Sequence, residues 1–290
     1  MYIKKITAII AAGIVSVTAL SVTAFAAGTK VPINEKFFPD ENFREYVKQF
    51  DTNENGYLSQ KERDKVTEID VGYMEIKSLK GVEKFKNLET LYCSGNQLTE
   101  LDVSKNTKLE KLECYDDNLT TLDVSKNTKL KSLYCPANGL SELDITKNTK
   151  LEYLWCNGNQ FKELDVSKNT KLENLYCSDN QLTKLDVTQN TKLTHLEFGC
   201  NKLSKLDLSK NTKLEKLYCW DNKLTKLDVS KNTKLTELNC SENKLKKLDV
   251  SKNIVLKSLD CADNKLTELD VSKNKKLETL DCDDNVKIIK

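Results

Sequence analysis

The chain has 290 residues, with 46 basic and 44 acidic side chains, ten cysteines and a single histidine. The apolar fraction of 38% and the charged fraction of 31% are too mixed for a membrane bundle and too apolar for a disordered chain. The near-neutral charge disfavours a nucleic-acid binder, which normally carries a clear basic excess. One histidine leaves little room for histidine-based catalysis.

Residues 1–26 have the order of a secretory signal peptide: a basic start, an uncharged stretch and a small-residue cleavage site. The uncharged stretch runs from Ile6 to Ala27, and Ala24 and Ala26 stand at the −3 and −1 positions. An uncleaved membrane anchor is the alternative, because a stretch of this length could span a bilayer. No positive stop-transfer cluster follows, so we expect cleavage, a secreted or extracellular surface protein, and no integral membrane segment afterwards.

Residues 27–66 are predicted to form a small helical cap, which a repeat array needs to cover its first coil. Asp40 is suited to be the N-cap of a short helix. The apolar face of that helix has the i, i+3, i+4, i+7 spacing and consists of Phe43, Tyr46, Val47 and Phe50.

The segment 51–62 matches the calcium loop D-x-[DN]-x-[DN]-G-x5-E at every required position, with Gly56 at the sharp turn. The expected ligands of one calcium ion are Asp51, Asn53, Asn55, the carbonyl of Tyr57, Ser59 and a bidentate Glu62. Only two of these are carboxylates, which predicts weak affinity. The alternative is a metal-free helix–loop–helix cap in which Ser59 and Glu62 form a capping box.

Residues 67–290 are predicted to form a leucine-rich repeat domain. From Leu88 the pattern L-x-x-L-x-C-x-x-N-x-L-x-x-L-D-V-S-K-N-x-x recurs every 21 residues over ten registers. We therefore expect an α+β repeat solenoid in which an EF-hand-like cap precedes the coils. Each coil should add one short strand to a parallel sheet on the concave face, and an extended segment or short strand to the other side. Asparagines such as Asn96 and Asn106 should stack as ladders at the corners.

Nine of the ten cysteines share one inward column, and Phe198 takes that column in the remaining register. Stacked parallel side chains point in the same direction rather than at each other, so we expect reduced, buried thiols that pack as small hydrophobic groups. Cys200 lies outside the column and is the one candidate for an exposed thiol.

The cap and the first repeat resemble those of internalin-type bacterial leucine-rich repeat proteins, and the similarity covers nearly all of the mature chain. The runs that carry the resemblance are Ile33-Asn34, 38–43, Leu58-Ser59, 66–71, 76–82 and 87–91. The resemblance implies a secreted or surface protein whose curved array binds a partner. Internalins typically have a 22-residue repeat with leucine or isoleucine where this chain has cysteine.

Aromatic residues are concentrated at the outward strand positions of the first seven registers. The candidate ligand-binding residues are Tyr92, Tyr115, Tyr134, Tyr153, Trp155, Tyr176, Tyr218 and Trp220. Tyrosine and tryptophan combine large contact area with a polar group, as interface residues do. The sequence predicts a recognition module for a protein ligand; a glycan-binding surface protein and a self-associating envelope protein are the alternatives.

An enzyme is not expected. His195, Glu197 and Cys200 cluster in the one irregular register, but a repeat array places them on an open surface without a pocket. At the C-terminal end the tenth repeat is incomplete. Its apolar face could pair with a second copy, be covered by Val286, Ile288 and Ile289, or fray.

Overall fold

A computed structural model describes residues 30–290; the predicted signal peptide therefore lies outside the described residues. The chain is a parallel β-solenoid of about 11 turns that follows a small helical region. The predicted fold class is thus confirmed. Within residues 30–290, every helix is too short or too polar to cross a membrane.

The helical region contains two short helices and a two-stranded antiparallel ladder. Its elements are β1 (Val31–Pro32), α1 (Glu41–Val47), a 3-10 turn (Lys48–Phe50), β2 (Tyr57–Leu58) and α2 (Gln60–Arg63). Helix α1 begins where predicted, because Asp40 Oδ1 accepts a hydrogen bond of 3.0 Å from the Phe43 amide. The ring of Phe50 packs 5.5 Å from that of Phe85, so the helical region covers the apolar end of the solenoid.

Eleven three-residue strands form one parallel sheet. They are β3 (Glu68–Asp70), β4 (Thr90–Tyr92), β5 (Lys111–Glu113), β6 (Ser132–Tyr134), β7 (Tyr153–Trp155), β8 (Asn174–Tyr176), β9 (His195–Glu197), β10 (Lys216–Tyr218), β11 (Glu237–Asn239), β12 (Ser258–Asp260) and β14 (Thr279–Asp281). Equivalent leucines pair across the strands, as Leu154 does with Leu175. Because strand side chains alternate, the central residue, a leucine in every strand except β3 (Ile69), faces inward and its two neighbours face outward; it is buried in all but the last strand, β14.

The second half of each coil is extended and mostly makes no strand ladder. The exception within the described chain is β13 (Glu268–Asp270), which pairs with β15 (Lys287–Ile289). The L-D-V-S-K-N segment turns through local bonds instead: the Ser104 amide donates to Asp102 Oδ1, and the Asn106 amide donates to the Val103 carbonyl. A 21-residue coil therefore closes without a helix.

Two columns of asparagines run along the solenoid, as the sequence predicts. The inner asparagine column is fully buried or nearly so and consists of Asn106, Asn127, Asn148, Asn169, Asn190, Asn211, Asn232, Asn253 and Asn274. Its Nδ2 groups donate to carbonyls of the preceding coil; Asn169 reaches the Ile145 and Asn148 carbonyls at 3.0 and 2.9 Å. Each amide thus joins two coils.

The strand-end asparagine column lies just after the strands and consists of Asn96, Asn138, Asn159, Asn180, Asn201, Asn222, Asn243 and Asn264. Asn159 illustrates its bonding. Its Nδ2 donates to the Cys135 carbonyl of the preceding coil at 3.0 Å, and its Oδ1 accepts from the Leu140 amide at 3.1 Å. This side chain both donates and accepts across the joint between two coils.

The C-terminal coil is only partly covered. Val286 is buried and Ile288 packs against the core, whereas Leu277, Leu280 and Cys282 stay half-buried. Of the arrangements considered from the sequence, the structure shows the covering by the chain's own last residues. Pairing with a second copy stays a prediction.

Asn169→Ala should lower the free energy of unfolding by about 2 kcal/mol, because two buried carbonyls each lose a donor. The neighbouring Lys168→Ala, at an exposed position, should change it by less than about 0.5 kcal/mol. Urea unfolding of both variants measures the difference. Equal stabilities would show that the inner asparagine column does not hold the coils together.

Candidate ligand-binding face

The outward side of the 11-stranded sheet, which we call the sheet face, carries all eight aromatic residues predicted from the sequence. The last residues of five strands are Tyr92, Tyr134, Trp155, Tyr176 and Tyr218. The first residue of β7 is Tyr153, and Tyr115 and Trp220 follow the strands by two residues. Strand alternation therefore places the six strand residues on one face as expected, and the ring contact of Trp220 with Tyr218 shows that a residue after a strand reaches the same face.

Four of the rings form the central aromatic cluster: Tyr134, Tyr153, Trp155 and Tyr176. The Tyr134 and Tyr153 rings stack at 4.8 Å, and Trp155 lies 6.3 Å from Tyr134 and 6.1 Å from Tyr176. Trp155 is 39% exposed and the three tyrosines are half-buried. Burial, with a hydrogen bond to Tyr176, raises the pKa of Tyr153 to about 12. The cluster is held by its own contacts and presents tryptophan outermost.

A second aromatic pair lies at the N-terminal end and includes a residue that the sequence analysis missed. Tyr73 is 67% exposed, and its hydroxyl lies 3.3 Å from that of Tyr115. This contact raises the pKa of Tyr115 to about 12. Any Cβ on Gly95 would lie 2.2 Å from the Tyr73 ring, so only glycine leaves room for it. Aligning Ile69-Asp-Val71 with Leu91-Tyr-Cys93 would have placed Tyr73 on this face.

Tyr218 and Trp220 make a third pair, with ring centroids 6.5 Å apart. Trp220 lies over the preceding coil, where a Cβ on Gly199 would approach its ring to 2.3 Å. Burial and a hydrogen bond to the Glu237 carboxylate raise the pKa of Tyr218. Both flanking pairs thus contact residues of a neighbouring coil: Tyr73 packs over Gly95, Trp220 packs over Gly199, and Tyr218 bonds to Glu237.

Charged groups on the sheet face are largely paired near the aromatic residues. Lys111 Nζ lies 4.7 Å from the Tyr92 ring centroid and 2.8 Å from Glu113. Glu197 accepts hydrogen bonds from Asn157 and Ser178, at 3.1 and 3.0 Å. Farther along, the strand-last positions are acidic, at Asp260 and Asp281. The face therefore changes from aromatic to acidic toward the C-terminal end.

The irregular register does not assemble a nucleophile and a base. His195 Nδ1 lies 3.0 Å from Thr194 Oγ1, while Cys200 occupies a left-handed loop position with φ of 49°. Burial and Asp179 raise the pKa of Cys200 to about 11, and burial and Lys216 lower that of His195. Among the described residues no hydrogen bond joins His195 to Cys200.

All ten cysteines are free, and those of the inward column are buried except for the half-buried Cys282. Some thiols also bridge coils: Cys93 Sγ donates to the Glu113 carbonyl at 3.2 Å. Burial raises the pKa of Cys135 to about 12, which keeps the thiol protonated. The column therefore packs as a ladder of reduced thiols, as the sequence predicts.

The predicted calcium loop is closed by hydrogen bonds. Glu62 Oε1 accepts from the Thr52 amide and from Asn53 Nδ2, both at 2.9 Å, and Oε2 accepts from Ser59 Oγ at 2.7 Å. Ser59 and Glu62 make a complete capping box, and the Ser59 bonds lower the pKa of Glu62 to about 2. Asp51 accepts from the Gly56 amide at 2.7 Å. The capping box that the sequence predicts is thus formed, and calcium binding at these residues stays a prediction.

The same residues also have the chemistry that calcium requires. Asn53 and Glu62, the third and twelfth residues of the loop, are already in contact. An amide rotation of Asn53 would turn Oδ1 toward the place where Nδ2 lies. Within residues 30–290 no three His, Cys, Asp or Glu side chains are grouped for a metal. An ion in this loop would therefore need amide, hydroxyl and carbonyl oxygens as well as the two carboxylates, which keeps its affinity low.

Comparison with known families identifies the repeat class. A family model described as "Leucine Rich repeats (2 copies)" matches residues 212–253, and one described as "Leucine Rich Repeat" matches residues 87–112. Together with the parallel solenoid, these matches define a leucine-rich repeat protein.

More specifically, the chain is similar to internalins. Internalin J of Listeria monocytogenes serotype 4b (strain F2365) is 43% identical over 86 residues, which are 29% of this chain and 9% of the relative. The solved functional domain of InlJ from Listeria monocytogenes, described as including a cysteine ladder, is 36% identical with a TM-score of 0.83. That match covers 89% of this chain and 62% of the InlJ domain.

The internalin InlF of the same strain is 23% identical with a TM-score of 0.65, over 90% of this chain and 94% of that one, and shares the fold. This chain thus spans less than two thirds of the InlJ domain and a small part of internalin J.

Native protein at pH 7 should react slowly with iodoacetamide at all ten cysteines, because burial raises the pKa of the thiols, Cys200 included. In denaturant all ten should be alkylated within the same time. Mass spectrometry of the two samples measures the contrast. Rapid native labelling at Cys200 would contradict the description of that thiol.

Proposed function

We propose that this protein is a secreted or surface-exposed bacterial recognition module that binds a protein ligand through the sheet face. Its likeness to internalins, whose folds mediate protein binding, supports the class of function. The observation that carries the proposal is the central aromatic cluster, with Trp155 outermost at 39% exposure. The homologues are typically binding modules, and we infer no catalytic activity.

A protein ligand fits the physical character of this surface. Aromatic side chains contribute large contact areas at little cost in side-chain entropy, and binding energy in protein interfaces concentrates in a few central residues of this kind. Trp155 has Tyr134 on one side and Tyr176 on the other, so its position is fixed before any ligand arrives. A partner that covers this cluster would remove the exposed part of the indole from water.

A glycan ligand is the second candidate, because the Tyr134 and Tyr153 rings stack with nearly parallel planes, 25° apart. The half-buried rings, however, leave mainly Trp155 free to lie against a sugar face. A glycan array and competition by free sugars distinguish this candidate from a protein ligand.

Trp155→Ala should weaken ligand binding by about 2 kcal/mol, roughly 30-fold, because the most exposed ring of the cluster is lost. Leu154 and Cys156 are fully buried on either side of it, so folding should hardly change. Proteins extracted from cell surfaces are passed over the immobilised protein to isolate a ligand. The Kd of that ligand is then measured by titration for the wild type and the variant.

The matched control is Ile254→Ala, which removes an exposed apolar side chain that lies outside the strands of the sheet face. It should bind as tightly as the wild type. If Trp155→Ala combined with Tyr134→Ala binds as tightly as the control, the sheet face is not the binding site.

Calcium binding at residues 51–62 stays a prediction, and we propose a site of weak, extracellular type. Asp51, Asn53, Asn55, Ser59 and Glu62 would hold the ion by side-chain oxygens, with the carbonyl of Tyr57. Bound calcium would neutralise the carboxylates and tie α2 to the end of α1. Both Glu62 oxygens already accept hydrogen bonds, Oε1 from Thr52 and Asn53 and Oε2 from Ser59, so a bidentate ion would compete with these bonds.

Calcium at tenfold its Kd should stabilise the wild type by about 1.4 kcal/mol, since the ion binds only the folded loop. Glu62→Gln should abolish that gain, because the bidentate carboxylate is lost. Thermal melts with calcium, with magnesium and with chelator measure the effect. A wild-type Tm that is unchanged by millimolar calcium would leave the capping box as the function of this motif.

A further inference from the structure

Asp117 interrupts the strand-end asparagine column. It stands at the position of Asn96 in the coil before and of Asn138 in the coil after. The residue is 9% exposed. Its Oδ1 accepts hydrogen bonds from the Asn96 and Leu98 amides, at 3.2 and 3.1 Å, as an asparagine oxygen does at this position. The buried Oδ2 has no hydrogen-bond partner.

The neighbouring coils show what an Nδ2 group does at the place of that oxygen. Asn138 Nδ2 donates to the Cys114 carbonyl at 2.8 Å, and Asn159 Nδ2 donates to the Cys135 carbonyl at 3.0 Å. By the 21-residue register, the corresponding acceptor for Asp117 is the Cys93 carbonyl. An ionised carboxylate can only accept hydrogen bonds, so Asp117 Oδ2 and the Cys93 carbonyl oxygen would be two acceptors without a shared proton. A protonated carboxyl can donate to that carbonyl.

We propose that Asp117 makes the joint between the first two cysteine-containing coils sensitive to pH. Protonation of its buried carboxyl supplies the donor that asparagine supplies in the neighbouring coils. Ionisation leaves the Cys93 carbonyl with the 2.8 Å hydrogen bond from Asn96 Nδ2 but without this second donor, which the equivalent Cys135 carbonyl has. The joint is therefore tighter in mildly acidic medium than at neutral pH.

The surroundings of the carboxyl favour the neutral form. Burial raises the pKa of Asp117 to about 6, and the nearby Asp116 adds to this, against the two backbone amides that bind Oδ1. The other titratable groups that interact with it, Cys93 and Cys114, have raised pKa values and carry no charge at these pH values. No cation is among the groups that shift this pKa.

The sign of the effect follows from linkage. The folded-state pKa of about 6 lies above the unfolded value of about 3.9, so the folded protein holds the proton more tightly. The stability that Asp117 contributes is complete below about pH 4 and is lost as the pH rises through about 6. Carboxylates with lowered pKa values, such as Glu62, act in the opposite direction at lower pH.

The joint also lies beside the aromatic residues of the sheet face. Tyr115 lies two residues before Asp117. Its amide donates to Ser94 Oγ at 3.1 Å, and its hydroxyl contacts that of Tyr73. Loosening between these coils would act first on the Tyr73–Tyr115 pair, at the N-terminal end of the face.

The test compares the wild type with Asp117→Asn, which restores the asparagine donor, and with Asn180→Asp, which moves the carboxyl to a coil that lacks it. Urea unfolding is measured at several values between pH 4 and 7.5. Near pH 7 the unfolding constant of Asp117→Asn should be at least about tenfold lower than that of the wild type, and the difference should shrink toward pH 4. The free energy of unfolding of Asn180→Asp should fall more steeply than that of the wild type as the pH rises over the same range, because a second buried carboxyl then ionises.

Amide NMR of the folded wild type gives a second measurement that does not depend on unfolding. The Asn96 and Leu98 amides should titrate near pH 6, and in Asp117→Asn this titration should be absent. Identical pH profiles of stability for wild type and Asp117→Asn, or amides that do not titrate above pH 5, would overturn the proposal.

Discussion

The structure depends on satisfying backbone carbonyls inside a coil that has no helix. A 21-residue coil turns at two corners, and each corner directs carbonyls of one coil toward the next. Water cannot reach these groups, and an unpaired buried carbonyl is costly. The two asparagine columns supply the donors, so each coil is bonded to its predecessor as well as packed on it. The solenoid is therefore stabilised by hydrogen bonds between neighbouring coils as well as by the continuous apolar core that runs through them.

This constraint separates residues that hold the fold from residues that are free to vary. The leucine, cysteine, valine and asparagine columns are constrained because these side chains pack or hydrogen-bond between neighbouring coils. The outward strand positions make no such contacts with the core. In the first seven registers the strand-last positions are aromatic in five and glutamate in two, whereas the last three registers have Asn239, Asp260 and Asp281. Recognition can thus change along the array without any change in the coil.

The cysteine column follows the same logic. A thiol is small, apolar enough for the interior, and able to donate weakly to a carbonyl of the next coil, as Cys93 does. Phe198 fills the column in one register, which shows that packing rather than disulfide chemistry sets the requirement. The solved InlJ domain is likewise described as including a cysteine ladder.

The sequence by itself determined the period, the alternation and thereby the sheet, its register and the shared face of the eight aromatic residues, because a strict repeat places equivalent residues on equivalent atoms. It also located the cap and the capping box of Ser59 and Glu62, which the structure contains, while calcium binding at the same loop stays a prediction. Only the tertiary structure showed that Tyr73 joins the face, that Gly95 and Gly199 make room for rings, and that Asp117 Oδ2 is buried without a partner. These features arise between coils, where one residue's environment depends on side chains about 20 positions away, and the repeat pattern alone does not carry that information.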